Sequence, residues 1–349
     1  MVGASGSIPD WNTLLASRPQ GAVRGRLAPS PTGELHLGNA QSALGAWLSV
    51  RHRGGSLVLR IEDLDKDRVL PGGAQRCARD LEWLGLDWDE DDTLTGPCAP
   101  YQQTLRQDLY TSALIELSRR GRLFPCALSR QDLRQLASAP HAGEPGEPGG
   151  GDRRYPPHLR PDPLPAPGWF HGEFSGECNL RFLCEDRDDT WQDLLHGEQR
   201  DNAGRRCGDF VLRRRDGVFS YQLAAVVDDA LMGITDVVRG SDLLDSCSRQ
   251  LQLWEALGAT PPVFAHLPLL RAGHGAKLSK RESDLELATL RRAGVRPATV
   301  LGWLGWSLGL LPAPRPIGAH DLLDVFDWSR ITTEDRVVPP DLTTALAGQ

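Results

Sequence analysis

The sequence predicts an α/β fold whose core is a parallel sheet, and three observations carry that reading. Residues 23–65, VRGRLAPSPTGELHLGNAQSALGAWLSVRHRGGSLVLRIEDLD, parse as a strand, a Pro/Gly loop, a helix and a second strand. A unit of that order is expected to be parallel and right-handed. Strand signals resume in residues 209–244, DFVLRRRDGVFSYQLAAVVDDALMGITDVVRGSDLL. Between the two lie residues 139–168, whose nine prolines and six glycines mark a loop or an insertion boundary rather than packed helix or strand.

The elements follow in order. Residues 1–21 carry Gly3, Gly6, Pro9 and Pro19 with little periodicity and read as a flexible leader. Leu37, Ala40, Leu44, Trp47 and Leu48 recur at helical spacing, and Leu57, Leu59 and Ile61 alternate as in a strand. Ala74, Cys77, Ala78, Leu81 and Leu84 share one helical face, which Gly85 ends. Tyr101–Arg120 reads as a third helix leading into LFPCALSR at 123–130. Asp216-Gly217 between apolar runs signals a hairpin turn. Residues 249–258 read as helix, and the strand-like FAHLPLL precedes a loop, KLSKR, at 277–281. From 286 onward LRRAGVRPATVLGWLGWSLGLL and shorter Pro-broken pieces predict a small helical appendage.

Composition narrows the class. With 349 residues, 39 Lys+Arg against 46 Asp+Glu, a net charge of -7 and 40% apolar residues, the chain is globular rather than disordered or fibrous. Its apolar stretches fall far short of the roughly 18 residues of a membrane helix. No basic start followed by an apolar run opens the chain, so a cytoplasmic protein is expected. Seven cysteines without a Cys-x-x-Cys pair read as reduced thiols. Only Lys66, Lys277 and Lys280 are lysine, so 39 basic residues less three leaves 36 arginines. A flexible ammonium is not equivalent to a planar guanidinium, which draws attention to the two lysines in KLSKR.

Candidate chemistry begins at the loop-helix junction Pro29-Ser30-Pro31-Thr32-Gly33-Glu34-Leu35-His36-Leu37-Gly38-Asn39. A helix start offers unpaired N–H groups and a positive dipole end to phosphates. His36 and Asn39 stand three apart on its first turn, so both can face one ligand. Lysines on a later loop can follow phosphate charge as it shifts in a transition state. The remaining polar signals suit a small zwitterion: Arg26 leaves the first strand, Glu62 ends the second, and Tyr221 and Arg239 sit at the ends of later strand candidates. Arginines hold carboxylates, a carboxylate holds an ammonium, and a tyrosine hydroxyl orients. Taken singly, each of these residues also reads as a surface ion pair.

The ordered motifs GRLAPSPTGELHLGN, RIEDLD, DFVLRRRDGVFSYQLA, VVRGSDLL and KLSKR resemble the catalytic core of class I aminoacyl-tRNA synthetases of the glutamate and glutamine group. HLGN stands at the His-x-Gly-His motif of that class, and KLSKR at its Lys-Met-Ser-Lys-Ser motif. The resemblance, over residues 22–285, implies a Rossmann-like catalytic core with a parallel sheet, an inserted acceptor-type subdomain and a small helical C-terminal appendage. The organisation expected is a leader (1–21), a first catalytic half (22–125), an insertion (126–205), a second half with the KLSKR loop (206–285) and the appendage (286–349). It also implies glutamate held by Arg26, Leu27, Ala28, Pro29, Ser30, Glu62, Tyr221 and Arg239. ATP, carried with Mg2+, would lie against His36, Asn39, Lys277 and Lys280, with His36 and Lys280 catalytic.

Within the group the chain is most similar to the branch that stops after its catalytic part, since 349 less 281 leaves only 68 residues beyond the lysine loop. That branch activates glutamate without tRNA and passes it to queuosine at the wobble position of tRNA(Asp). The expected partners are therefore L-glutamate, ATP and the queuosine-containing anticodon stem-loop, with a monomer as the working expectation and no membrane. A truncated glutamyl-tRNA synthetase charging the acceptor end and a small-molecule nucleotidyl transferase are the alternatives; a non-catalytic tRNA-binding relic fits the retained motifs less well. Asn39 departs from the second histidine of the class motif, Leu278 from its methionine and Arg281 from its last serine. Many relatives bind zinc through Cys-x-Cys, Tyr and Cys in the insertion, where this chain has Cys126, Leu128, Tyr155 and Leu159. Leucine cannot ligate a metal, so zinc is expected to be absent unless His141 or His158 substitutes. The acidic balance does not advertise RNA binding, but arginine clusters occur at 153–154, 205–206, 213–215 and 291–292.

Overall fold

A computed structural model describes residues 8–128, 132, 154–173, 176–272 and 285–348. The first element is a short helix, α1 (Trp11–Ala16), capped by Asp10. It corrects the expectation of a flexible leader for this stretch. Trp11 is buried and donates its indole N–H to the Leu257 carbonyl at 2.9 Å. Trp11 and Leu15 are buried in a core shared with Leu114 and Leu257, and together they dock a segment whose own periodicity is too short to read.

Next come β1 (Arg24–Leu27), α2 (Leu37–Arg51) and β2 (Ser56–Leu59), with β1 and β2 parallel in the register Arg24 to Ser56 through Leu27 to Leu59. This is the strand-helix-strand unit read from the sequence. Helix α2 lies close on the sheet: a Cβ on Gly45 would clash with the Leu267 side chain. The predicted second helix is α3 (Gly73–Trp83), followed by a positive φ of 79° at Gly85. The third, α4 (Gln107–Arg119), starts later than expected, after a turn of 3-10 helix at Gln103–Leu105.

Strands β3 (Leu123–Cys126) and β4 (Asn179–Phe182) are antiparallel. After them come β5 (Asp189–Asp193), β6 (Gly197–Asp201), the short helix α5 (Ala203–Arg206) and β7 (Val211–Arg213). β7 joins β4, so β3, β4 and β7 form one small sheet, whereas β5 and β6 belong elsewhere. The hairpin turn forms, with Gly217 at φ 88° and Arg214 N–H bonded to the Val218 carbonyl at 2.9 Å. Its far arm is one bridge, Arg213 to Phe219. The chain then enters helix α6 (Tyr221–Leu231), whose N-cap Ser220 accepts from Leu223 N–H. Tyr221 therefore opens a helix instead of ending a strand: the cap and the buried Leu223, Val227 and Ala230 at helical spacing outweigh the β-branched content.

The remaining elements are β8 (Asp236–Gly240), α7 (Cys247–Ala256), β9 (Val263–Leu267) and β10 (Leu270–Arg271), then α8 (Leu287–Arg292), α9 (Pro297–Ser307), α10 (Ala319–Leu323), β11 (Arg336–Val337) and α11 (Leu342–Ala347). β8 and β9 pair in parallel, β5 joins the other edge of β9 at Asp193 to Phe264, and β6 follows β5. β1 runs beside the start of β8, where Thr235 N–H donates to the Arg24 carbonyl at 2.9 Å. The two distant sheet segments of the sequence therefore meet. The C-terminal helices do not hang off this body. Leu290, Val300, Leu304, Leu322 and Leu346 share one apolar core with Leu44, Trp47 and Leu48 of α2. Among the described residues no helix is long and apolar enough to cross a membrane.

Candidate active site

A cleft of about 1230 Å³ opens beyond the ends of β1 and β8, where open parallel sheets place their ligands. It is lined by Arg26, Leu27, Ala28, Pro29, Ser30, His36, Asn39, Glu62, Tyr221 and Arg239, which brings together every described residue expected in the site. Lys277 and Lys280, with Leu278 and Arg281, lie outside the described residues.

The floor of the cleft is a network of buried charge. Arg60, fully buried, donates to Asp229 at 2.6 Å and to Glu62 at 3.0 Å. Arg26 lies 3.4 Å from the same Asp229 oxygen and donates to the Val238 carbonyl at 3.1 Å. Burial, reinforced by Arg60 and Arg239 and opposed by Asp229, lowers the Arg26 pKa. Burial raises that of Glu62 against the pull of Arg60 and Arg26. A second tier fixes Asp228, which accepts from Arg106 at 2.6 Å, Gln103 at 2.8 Å and the Tyr110 hydroxyl at 2.9 Å.

Arg239 is held from behind. On the β8–β9 ladder it pairs with His266, and its Nε donates to His266 Nε2 at 3.0 Å. The other ring nitrogen, Nδ1, meets Asp193 Oδ2 at 2.5 Å. Nδ1 carries the proton in this arrangement, which leaves Nε2 to accept. Burial lowers the His266 pKa, consistent with a neutral ring. Burial works against the Asp193 carboxylate, but the ring bond and backbone N–H groups hold it below its ordinary value. One Arg239 Nη reaches Gln250 at 2.9 Å, and the other lies 3.5 Å from the Tyr221 hydroxyl at the cleft wall. Burial opposes the Arg239 cation, yet Tyr221 and Cys247 tip its pKa upward.

At the opposite end His36 and Asn39 cap α2. His36 Nδ1 accepts from Gly38 N–H at 3.1 Å, and Asn39 Oδ1 accepts from His36 N–H at 3.1 Å. The amide that stands for a histidine thus closes a capping box. Both side chains stay on the cleft wall beside the first turn of the helix.

Leu128 and Leu159 pack on an apolar cluster of Phe124, Cys126 and Tyr155. The Cys126 thiol lies 3.6 Å from the Tyr155 hydroxyl, which donates to the Leu159 carbonyl at 2.6 Å. Among the described residues no group of three His, Cys, Asp or Glu is arranged to hold a metal ion; His158 is exposed, and His141 lies outside them.

The family model of class I tRNA synthetases (E and Q), catalytic domain, matches residues 22–310. The chain belongs to this family. It is accordingly an ATP-using ligase of the aminoacyl-tRNA synthetase type, on the α/β core that the motifs implied. Glutamyl-Q tRNA(Asp) synthetase of Symbiobacterium thermophilum is 47% identical over 93% of this chain and 98% of its own. The protein of that name from Nitratidesulfovibrio vulgaris is 44% identical, covering 93% and 98%. A glutamate tRNA ligase from Elizabethkingia meningosepticum, solved in complex with its amino acid, superposes with a TM-score of 0.76 at 27% identity over 93% of this chain and 69% of that one.

Sequence reading missed Arg60, Gln103, Asp193, Asp228, Asp229 and His266. Arg60 stands one residue before Ile61 in a motif already singled out, and its charge at the end of an apolar strand was a usable signal. Asp228 and Asp229 form an acidic pair inside an apolar helix, which is unusual enough to notice. Asp193 and His266 had no such signal, since 73 residues separate them.

Proposed function

We propose that this protein activates glutamate with MgATP, in the absence of tRNA, and transfers it to the queuosine at the wobble position of tRNA(Asp). The observation that carries the amino-acid side is the charge pattern of the cleft: guanidiniums of Arg26 and Arg239 with the carboxylate of Glu62. Glutamate at neutral pH presents the complement, two carboxylates and one ammonium. Glu62 takes the ammonium and the two arginines take the carboxylates, while Tyr221 orients the ligand and Leu27 to Ser30 wall it in. ATP lies along the first turn of α2 by His36 and Asn39, with Lys277 and Lys280 on its phosphates. The glutamate α-carboxylate attacks the α-phosphorus and pyrophosphate leaves; a hydroxyl of the queuosine diol then attacks the activated carbonyl and AMP leaves.

The names borne by relatives 44% and 47% identical support this acceptor. The packed leucines at 128 and 159 support an insertion that holds its shape without zinc. A cytoplasmic monomer fits this role.

Acylation with labelled glutamate tests the reading. Queuosine-containing tRNA(Asp) and its isolated anticodon stem-loop are expected to be labelled, unmodified tRNA(Asp) is not, and removal of the terminal adenosine is expected to make no difference. Labelling that needs the terminal adenosine and ignores queuosine would instead identify a truncated glutamyl-tRNA synthetase. Pyrophosphate exchange is expected to require glutamate, with glutamine and aspartate poor, because an amide or a shorter chain leaves a buried guanidinium unpaired.

A further inference from the structure

The four arginine clusters of the sequence meet different fates in the fold. Arg205 donates to Asp186 at 2.8 Å and Arg206 to Asp201 at 2.6 Å. Arg291 bonds Asp80 at 3.0 Å, and Arg292 bonds its own helix at Thr289. Arg154 is exposed and adds to the field on Asp186; Arg153 lies outside the described residues. Among the described residues of these clusters, only those at 213–215 reach the cleft, where Arg214 and Arg215 line its rim.

That rim has a defined shape. Arg213 is half-buried with its guanidinium 4.9 Å above the Phe219 ring, so it braces the turn. Arg215 N–H donates to Asn179 Oδ1 at 3.1 Å, tying the turn to β4. The Arg215 side chain is exposed and, among the described residues, makes no ion pair. Arg214 pairs with Asp216 at 2.5 Å, but both side chains are about half exposed at 58% and 45%. Such a pair contributes little and can be exchanged for a phosphate. A third arginine, Arg249 of α7, also lines the cleft, bonds only Ser246 at 3.4 Å, and has a buried Nε without a hydrogen-bond partner among the described residues. These cations stand out in a chain of net charge -7, so they do not follow from a generally basic protein.

We infer that Arg214, Arg215 and Arg249 form a phosphate-binding rim that grips the backbone of the acceptor RNA on either side of the base entering the cleft. The inference rests on the RNA acceptor proposed above. A loop base that enters the cleft carries its flanking phosphates across the rim, and planar guanidiniums bind phosphate oxygens in pairs. The rim supplies affinity and placement and reads no sequence.

The test compares wild type with Arg214→Ala/Arg215→Ala, Arg214→Lys/Arg215→Lys and Arg249→Ala. Controls are Arg205→Ala and Arg292→Ala. Glutamate-dependent pyrophosphate exchange without RNA is measured beside glutamylation of the queuosine-containing anticodon stem-loop over a range of salt. The double alanine variant is expected to keep exchange within about twofold, to lose about tenfold or more in kcat/KM for the RNA, and to show a salt slope shallower by about 0.7 to 0.9 per lost contact. Arg249→Ala is expected to shift RNA kinetics in the same direction, the lysine variant to restore most of the slope, and the controls to match wild type. An unchanged RNA KM and salt slope would overturn the rim while leaving the acceptor reading intact. Collapse of exchange in the double variant would also overturn it, since the turn would then serve the amino-acid site. If wild type labels no queuosine-containing RNA, the acceptor reading fails and this inference fails with it.

Discussion

The floor of the cleft and the corner at Cys126 are both buried, and they are built in opposite ways. On the floor, Arg26, Arg60, Glu62, Asp228 and Asp229 are packed together and compensate one another in charge: Arg60 hydrogen-bonds Asp229 and Glu62, and it lies 3.8 Å from Asp228 as Arg26 lies 3.4 Å from Asp229. At the corner, Phe124, Cys126 and Tyr155 are covered by Leu128 and Leu159, and the polar atoms are satisfied locally. Burial by itself therefore does not mark function. What distinguishes the floor is that charged groups face the cleft: Arg26, Glu62 and Arg239 line its wall although each also has a partner behind it, Asp229, Arg60 and His266 respectively. Buried charge that its neighbours do not fully compensate costs stability, and a ligand of opposite charge offsets that cost.

The largest expected effect comes from removing a charge proposed to meet glutamate or ATP. Arg239→Ala and Lys280→Ala are each expected to lower glutamate-dependent pyrophosphate exchange by roughly a hundredfold or more, the scale of losing one preorganised donor. They differ in the parameter affected: Arg239→Ala raises the KM for glutamate, whereas Lys280→Ala lowers turnover with ATP affinity little changed. Lys66→Ala, at an exposed site, is expected to be silent. A Lys280 effect confined to KM would refute its transition-state role.

A smaller effect is expected where the charge stays and its support goes. His266→Phe removes the acceptor behind Arg239 Nε, and the KM for glutamate is expected to rise by about tenfold with the KM for ATP unchanged. His266→Gln, which keeps an acceptor in that position, is expected to recover part of the loss. Equal losses in both variants would mean that His266 serves packing alone.

The pH dependence follows from the same pair. Because burial holds the His266 pKa below its ordinary 6.5, the unfolded chain binds this proton more readily than the folded one. Stability from this group is present above pH 6.5 and is lost as pH falls from there toward the folded value. Thermal unfolding of wild type and His266→Phe is expected to diverge above pH 6.5 and converge below it, apart from a constant packing difference.

At the corner the expected effect is smallest. Elemental analysis is expected to find no zinc, and chelation to leave both Tm and exchange unchanged. Leu128→Cys with Leu159→Cys is expected to cost about 1 to 2 kcal/mol of packing without metal and to take up zinc when it is supplied. One tightly held zinc per chain in the wild type would erase the contrast between the two regions.

Much of this was legible from local pattern. The parallel unit at 23–61, α3 and its Gly85 stop, and the turn at Gly217 all rest on spacing that neighbours along the chain impose. Arg26, His36, Asn39, Glu62, Tyr221 and Arg239 were visible because they sit inside ordered motifs. Other features were not legible, for identifiable reasons. α1 is anchored by Trp11 and Leu15 in a core built from distant segments, and Tyr221 reads as the end of a strand candidate because the β-branched content of 209–244 masks the Ser220 cap and the helical face that follows.

Local elements, motif residues and family were readable along the chain, because hydrophobic period, turn chemistry and motif order are properties of neighbouring residues. Long-range packing set the rest: β1 lies against β8, β5 and β6 leave the segment of the expected insertion to join β9, and the C-terminal helices complete the core over α2. It alone decided which arginines are spent on internal carboxylates and which face the cleft. The physical reason is distance along the chain: Asp193 meets His266 across 73 residues and Arg60 meets Asp229 across 169. Pairings of that range are set by how the packed layers close, which no local pattern encodes.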